Sequence, residues 1–535
     1  MALAGAAKLP ALQATYDVVI VGYGPVGMTC AALLGRYGIK VIVIERYPER
    51  YALPRAGHCD GEIMRVFQSL RIADEVELIA RPMLSYELVT PDLEVLEKIA
   101  LGEGGSGWKN SYLWYQPELE AIIDSKARML GAEIQMGMQA VDLVENAGNI
   151  QLSIRATNSP DEAPHTICAS YIIGADGAGS FLRAKMGSNR QDLGFRAIDN
   201  LVIDFEHNNP DCDLPLLQDV YQVLDTNRPQ LAGRWSGRRW SRWEFARVGD
   251  ETRESLESDE TCWKLLSKWG VSPEDGNIVR RAIYCFEASV TDNWRRGRCI
   301  LAGDSAHTMP PFMGQGMCSG IRDAVNLSWK LAAVLKGQAS DHLLDTYELE
   351  RKHHVSQLIE MSMAVGSNVL TTNPDDGLAR DQKLRTGELS HLRLFPRIIS
   401  GIVRQQTSAD STIVDGRPAL QARVAFGKIV ARLDDFFEPG WRIISRHPIP
   451  DNLLSCVHHQ LMSQLELKVA HVSRGAGEGS FVDIDGDYDL WYRKTGQKAF
   501  VVRPDNYVFG AARSMQDIPA LLDEVAASLK SHGWN

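Results

Sequence analysis

Gly22-Tyr-Gly24-Pro25-Val26-Gly27 stands directly after the apolar run Asp17-Val-Val-Ile-Val21 and opens a stretch, Pro25 to Tyr37, with helical patterning. In that setting each glycine has its own role. The first permits a tight turn, the second lets backbone approach a pyrophosphate, and the third lets the helix pack on the strand. The helix N-terminus adds partial positive charge that favours phosphate. Glu45 ends the next apolar strand, Lys40-Val-Ile-Val-Ile-Glu45, where a carboxylate accepts the ribose hydroxyls of an adenosine. Gly22, Gly24, Pro25, Val26, Gly27, Glu45 and the adjacent Arg46 are therefore candidate dinucleotide contacts. This motif alone does not separate FAD from NAD.

Two later segments favour FAD. Gly174-Ala-Asp176-Gly177 closes a strand far downstream, with Ser180 and Arg183 behind it. Then come Gly303-Asp304-Ser-Ala-His307, the loop Pro310-Pro311-Phe-Met-Gly314-Gln-Gly316, and a helix carrying Gly320 and Asp323. A simple dehydrogenase has no use for a second acidic turn and a glycine-rich helix start so late. An extended FAD has: its ribityl chain needs a carboxylate, and its ring edge becomes anionic on reduction. The amides of Gly316, Met317 and Cys318, at a helix N-terminus, would stabilise that charge.

Taken together, these segments resemble the FAD-dependent aromatic hydroxylases of the para-hydroxybenzoate hydroxylase type. Pro54-Arg55-Ala-Gly-His-Cys-Asp60-Gly-Glu-Ile-Met-Arg65-Val-Phe-Gln68 is similar to the subgroup of 3-(3-hydroxyphenyl)propionate and phenol hydroxylases. Tyr115-Gln116-Pro-Glu-Leu-Glu120, Arg239-Trp-Ser-Arg-Trp-Glu-Phe245 and Val502-Arg-Pro-Asp505-Asn-Tyr-Val508 extend the likeness. It covers roughly 16–360 and 440–512. The resemblance implies that Arg55 contacts the pyrophosphate, a use suited to a guanidinium, and that Gln116 meets the adenosine or ribityl side. It places Asp176 in a motif linked to flavin and nicotinamide, sets Asp304 on the ribityl hydroxyls, and lays Pro311 beside flavin and substrate. Asp60 aligns with a carboxylate near the substrate hydroxyl and is read as a catalytic base or proton relay whose pKa a dry pocket would raise; the alternative is a loop carboxylate that caps a helix. Cys318 stands where many relatives carry Asn, and Ser305 where Ala is common.

The reaction so implied is hydroxylation of a small aromatic, phenolic substrate by dioxygen through a flavin C4a-hydroperoxide, with NADH or NADPH as transient reductant. A general base helps by removing the phenolic proton, and a dry pocket protects the peroxide. Other readings stay open: epoxidation or Baeyer–Villiger insertion on a polycyclic substrate, a plain dehydrogenase, and a non-catalytic escort with an FAD fold.

These residues need a framework. The sequence predicts an α/β chain with a Rossmann-like FAD-binding domain (16–85, completed by 110–195 and 290–390). Residues 86–109 and 196–289 form an inserted antiparallel-sheet substrate domain, and 425–535 a thioredoxin-like C-terminal domain that lacks CxxC and is read as structural or as a homodimer surface. The polar stretch 371–388 reads as a linker or mobile loop. Within the inserted sheet, Arg242, Trp243 and Glu244 read as framework, ahead of substrate contact, whereas Tyr284 or Phe286 faces substrate. Met309, Met313 and Met317 are a wall over the flavin or filler. His307 reads as structural, and His353-His354 as a solvated helix face.

Bulk properties agree. A length of 535 residues implies more than one core. A net charge of −11 argues against nucleic acid or anionic membrane as partner. Nine scattered cysteines show no zinc spacing, so no metal is expected, and the odd count fits a reducing compartment. With no apolar run long enough to span a bilayer, the cytoplasm is the expected location.

Overall fold

The computed structural model describes residues 15–195, 198–211, 220–235, 239–389, 396–405, 414–475 and 479–535. Cys212, one of the nine cysteines, lies outside the described residues.

The first sheet is built on Thr15–Val21, whose Val18, Val19 and Ile20 are fully buried. It pairs in parallel with Val41–Glu45 on one side and His165–Gly174 on the other. Cys299–Leu301 and Glu133–Met136 extend the two flanks, also in parallel. Such strands are covered on both faces, which explains their near-continuous Val and Ile content. The helix Pro25–Arg36 packs against the helix Gly316–Leu335 on this sheet. Close approach demands glycine there: a Cβ on Gly27 would lie 2.1 Å from the Gly22 carbonyl oxygen, and one on Gly320 2.5 Å from a Val26 methyl. Ile150–Ala156 and His165–Gly174 pair antiparallel.

The second sheet runs Gly276–Cys285, Asp199–His207, Trp240–Ala246, Gln230–Arg234, Val220–Val223, Ser85–Val89, Val95–Ala100. Its pairings are antiparallel except one: Val220–Val223 and Ser85–Val89 are parallel. Alternate residues face opposite ways. Leu201, Ile203, Phe205, Trp243 and Phe245 pack against the helix Asp259–Ser267. The intervening residues form the opposite face, toward a cavity.

A third sheet follows the order Ile429–Arg432, Arg423–Phe426, Phe481–Asp483, Lys468–Ser473, Arg442–Ser445, Ala499–Val502, Val508–Ala512. Three short strands lie after residue 480, and the helix Asp487–Thr495 separates the first two. This C-terminal part is fastened to the rest by buried polar contacts. Arg65 donates to Asp434 at 2.7 Å, and Arg503 pairs with Glu350 at 2.6 Å.

Two expectations are corrected. The polar stretch 371–388 is no linker but contains the helix Pro374–Thr386, whose first amides are capped by the Asn373 side chain. A Pro at the first turn and Gly387 at φ 71° complete its boundary signals. His353 is exposed, but His354 is buried at 1% and its ring lies 6.2 Å from that of Tyr507. The C-terminal segment covers that side of the helix Asp345–Val369, so the face is not solvated.

Candidate active site

One cavity of about 430 Å³ joins the two larger sheets of the N-terminal part. At one end it is lined by Gly24, Pro25, Val26, Arg55, Gln116, Asp304, Gly314, Gly316 and Met317. At the other, Met83, Leu231, Trp235, Phe286, Phe312 and Leu370 form an apolar chamber. Pro311 lines the same cavity, as do Met309 and Met313.

The first end fits a dinucleotide. Gly22 has φ +99°, and a Cβ on it would stand 2.3 Å from the Ala175 carbonyl oxygen, so the turn requires glycine. A Cβ on Gly24, in contrast, would meet nothing within 4 Å, which leaves open space against the cavity for a close-approaching phosphate. Arg55 is exposed there; its guanidinium lies over the Tyr51 ring at 4.6 Å and makes no ion pair among the described residues. Gln116 supports this loop, its Oε1 accepting from the Arg55 and Ala56 amides at 2.9 and 2.6 Å. Glu45 receives the Tyr23 and Tyr47 amides at 2.7 and 2.9 Å. Arg46 is not part of the cavity lining, and its guanidinium lies 4.9 Å from the centre of the Tyr47 ring.

Two carboxylates lack full satisfaction. Asp304 lines the cavity and is exposed to it, and desolvation pushes its carboxyl above the usual range. Asp176 accepts the Leu182 amide at 3.2 Å through Oδ2, while its buried Oδ1 has no partner. Burial raises this carboxyl too. Hydroxyl donors from a group bound in the cavity would relieve Asp304, whereas Asp176 is not part of the cavity lining.

The loop bearing Asp304 is held from beneath. Asp323 accepts the Gly303 amide at 3.1 Å, His307 Nε2 lies 2.7 Å from it, and Arg351 donates at 2.9 Å. His307 is therefore a structural partner, as expected from the sequence. Cys318 does not line the cavity. Its buried Sγ lies 3.6 Å from the Gly314 carbonyl oxygen and 3.8 Å from that of His58.

Asp60 requires a correction. It is 5% exposed and lies outside the cavity lining. Its Oδ1 caps the helix Gly61–Ser69, accepting from Glu62 and Ile63 amides. Its Oδ2 takes Arg322 Nη2 at 2.5 Å and Gln315 Nε2 at 3.1 Å. Burial pushes the carboxyl up, but the Arg322 guanidinium, His58 and Gln315 together outweigh burial and hold it below the usual range. This is the opposite of a basic, raised carboxylate. Asp60 instead fixes Gln315, the residue that precedes the cavity-lining helix start.

The sheet supplies the polar groups of the chamber. Arg242 and Glu244 alternate with buried Trp243 and both line the cavity, so their framework reading is incomplete. Asp204 binds Arg242 at 2.7 Å and Arg280 at 3.3 Å, all three nearly fully buried. Arg242 also donates to the Arg55 carbonyl at 2.8 Å and so ties the two ends together. Tyr86 donates to Gln222 at 3.0 Å. Tyr284 and Phe286 both face the cavity. Tyr86 and Gln222 escape sequence reading because period-two alternation does not tell which face is the core, and Met83, Trp235 and Phe312 because they lie outside the strands, where no period applies.

Comparison with known proteins agrees with this geometry. The family described as FAD binding domain matches residues 15–362, and the HcaD C-terminal domain matches 416–528. The chain is 35% identical over 526 residues to a probable NADH-specific resorcinol 4-hydroxylase of Rhodococcus jostii, covering 96% of this chain and 95% of the relative. It is 29% identical to a 3-(3-hydroxy-phenyl)propionate/3-hydroxycinnamic acid hydroxylase of Mycobacterium avium, covering 95% and 91%. In fold it is similar to aklavinone-11 hydroxylase, solved with FAD and aklavinone, at TM-score 0.78 and 22% identity over 96% of this chain and 99% of that one. The flavin-dependent monooxygenase PieE gives TM-score 0.78 at 20% identity, over 98% and 100%. The chain belongs to the FAD-binding-domain family, among the FAD-dependent aromatic hydroxylases.

Proposed function

We propose that this chain hydroxylates a one-ring phenol, of the resorcinol or hydroxyphenyl class, with NADH as reductant. The observation that carries the reading is the single cavity with a phosphate-and-polyol end at Gly24, Arg55 and Asp304 and an apolar chamber at Met83, Trp235, Phe286 and Phe312. The NADH preference is supported by the name of the Rhodococcus relative.

Bound FAD would supply hydride acceptance and activation of dioxygen. Arg55 would neutralise its pyrophosphate and Asp304 would accept its ribityl hydroxyls. The amides of Gly316 and Met317, at the start of a 20-residue helix, would favour negative charge beside them. Asp176 is proposed for the remaining polar contacts, and Glu45 for the ribose. Arg46 and Cys318, neither lining the cavity, are left as peripheral supports. Pro311, Phe312 and Met313 would press the aromatic ring from one side, and the sheet residues Val202 and Leu231 from the other. These apolar walls exclude water from the reacting region.

The domain division read from the sequence is proposed to hold: 16–85 with 110–195 and 290–390, 86–109 with 196–289, and 425–535. A thioredoxin-like core for the last is supported by the order Lys468–Ser473, Arg442–Ser445, Ala499–Val502, Val508–Ala512, with the first pair parallel and the rest antiparallel. Its only cysteine is Cys456, so it has no dithiol of its own. The edge hairpin exposes Phe426, Ile429 and Val430, which supports a homodimer contact there; a monomeric mass in solution would remove it. No helix of the described residues is long and apolar enough to cross a membrane, in keeping with a cytoplasmic enzyme.

The test is a screen of phenols for stimulated NADH oxidation with oxygen uptake and a hydroxylated product. Stimulation by resorcinol-type or hydroxyphenyl compounds is expected. Coenzyme oxidation indifferent to every phenol contradicts the proposal.

A further inference from the structure

With Asp60 sealed against Arg322, the chamber needs another group to take the phenolic proton. The titratable side chains of the cavity lining narrow the choice. Asp304 lies at the cofactor end. Both ring nitrogens of His58 are engaged, Nε2 with Ser111 Oγ at 2.7 Å and Nδ1 with the Gly314 carbonyl at 3.2 Å. The Tyr86 hydroxyl is committed to Gln222. Arg55, Arg242 and Arg280 are cations, and Tyr284 is itself a phenol under the Arg280 guanidinium at 4.8 Å.

Glu244 differs from all of these. It sits on the central strand Trp240–Ala246, with Val202 and Leu231 opposite it on the two neighbouring strands. Its carboxylate lines the cavity and accepts no hydrogen bond from any described residue, whereas the next carboxylate on that face, Asp204, is occupied by two guanidiniums. A carboxylate placed between two aliphatic side chains and aimed into an apolar chamber is costly unless a ligand donor meets it.

We propose that Glu244 is the catalytic base that accepts the proton of the substrate's ring hydroxyl. This rests on the reading of the cavity as a phenol hydroxylase site. The O–H bond breaks, the proton joins a Glu244 carboxylate oxygen, and the electron pair stays on the phenolic oxygen. That charge enriches the ring carbon that receives the new oxygen atom. The carbon then loses its hydrogen to water as aromaticity returns, and Glu244 gives its proton back to the phenolic oxygen. NADH and dioxygen, the co-reactants of the family reaction, supply the two electrons and the oxygen atom, and the second oxygen leaves as water. The surroundings of Glu244 suit a base. Burial raises its carboxyl, Arg242 and Arg280 pull it down, and Asp204 pushes it up, with burial dominant. A base closer to the working pH transfers protons more effectively.

The test compares the FAD-loaded wild type with Glu244→Gln and Glu244→Asp. Wild-type hydroxylation of a phenol must be seen first; its absence defeats the functional reading and not the assignment of Glu244. Given it, Glu244→Gln should keep its FAD and bind the phenol, by calorimetry, within a few-fold. Hydroxylation should fall by about 10²-fold or more, with NADH consumption diverted to hydrogen peroxide. For a polyfluorinated phenol already ionised at the assay pH, the ratio of wild type to variant should shrink toward one, because no proton has to be removed. Glu244→Asp, which keeps a carboxylate, should retain more activity than Glu244→Gln. Hydroxylation by Glu244→Gln within threefold of wild type would overturn the proposal. So would an equal loss for ordinary and ionised phenols, or an Asp variant no better than the Gln variant; these are the signs of a framework residue.

Discussion

Replacing Asp60 by Asn separates a structural carboxylate from a catalytic one. Asn keeps an oxygen for the Glu62 and Ile63 amides, and the two residues cap helices about equally well. What is lost is the charge facing Arg322, which is 4% exposed. Removing one partner of a buried pair costs about 3–5 kcal/mol. Here Arg322 keeps Glu62 at 2.8 Å and the Gln315 side-chain carbonyl at 2.9 Å, so the low end, about 3 kcal/mol, applies. Asp60→Ala also removes the cap and should cost about 1 kcal/mol more. Urea unfolding of the FAD-loaded protein, followed by circular dichroism and flavin fluorescence, reads these differences. The pH dependence has a definite sign. Because Asp60 is held low in the folded state, its contribution is present above the unfolded carboxyl value of about 3.9 and is lost as pH falls through the folded value. The wild-type advantage over Asp60→Asn should therefore be full at neutral pH and shrink in acid. An Asp60→Asn protein with an unchanged urea midpoint but sharply reduced hydroxylation would refute this reasoning.

Three further outcomes follow from the cavity. Asp304→Ala should fold normally but hold FAD more weakly by about 1.5–3 kcal/mol, the worth of a charged hydrogen bond, read as a roughly ten- to hundredfold weaker dissociation constant in flavin titration. Gly24→Ala should also fold, since Gly24 has φ −82° and a Cβ there meets nothing within 4 Å; its added methyl should weaken FAD binding about tenfold by crowding of order 1–3 kcal/mol. Gly27→Ala should instead destabilise the apoprotein, because its Cβ would stand 2.1 Å from the Gly22 carbonyl oxygen; equal thermal stability of the two apoprotein variants contradicts that contrast.

The cofactor end is legible in the sequence because its signals are local. The glycine turn, the strand before it and the helix after it fall within about twenty residues, and each glycine's requirement follows from backbone geometry. Asp304 and the Gly316 helix start are legible for the same reason. Asp60 is not, because its partner Arg322 lies 262 positions away, and no spacing rule reaches that far. The chamber is hidden for another reason. Period two divides Arg242 and Glu244 from Trp243, but only tertiary packing decides that Trp243 meets the helix Asp259–Ser267 while Glu244 meets the cavity. The helix Pro374–Thr386 is a different case. Asn373, Pro374, Asp375 and Gly387 are readable boundary signals, masked by the polarity of the stretch. In the C-terminal part, Asp487–Thr495 merges into a run of strands because its Tyr, Leu and Trp residues suit strands as readily as a helical face.

The most direct test of the central claim is to supply ¹⁸O-labelled dioxygen, NADH and a stimulating phenol to the FAD-loaded protein and to weigh the product. An FAD-dependent aromatic hydroxylase should place one labelled oxygen on the ring for each NADH consumed, and none when FAD is withheld. NADH consumption that yields only hydrogen peroxide with every phenol offered, or a product whose new oxygen comes from water, would contradict it.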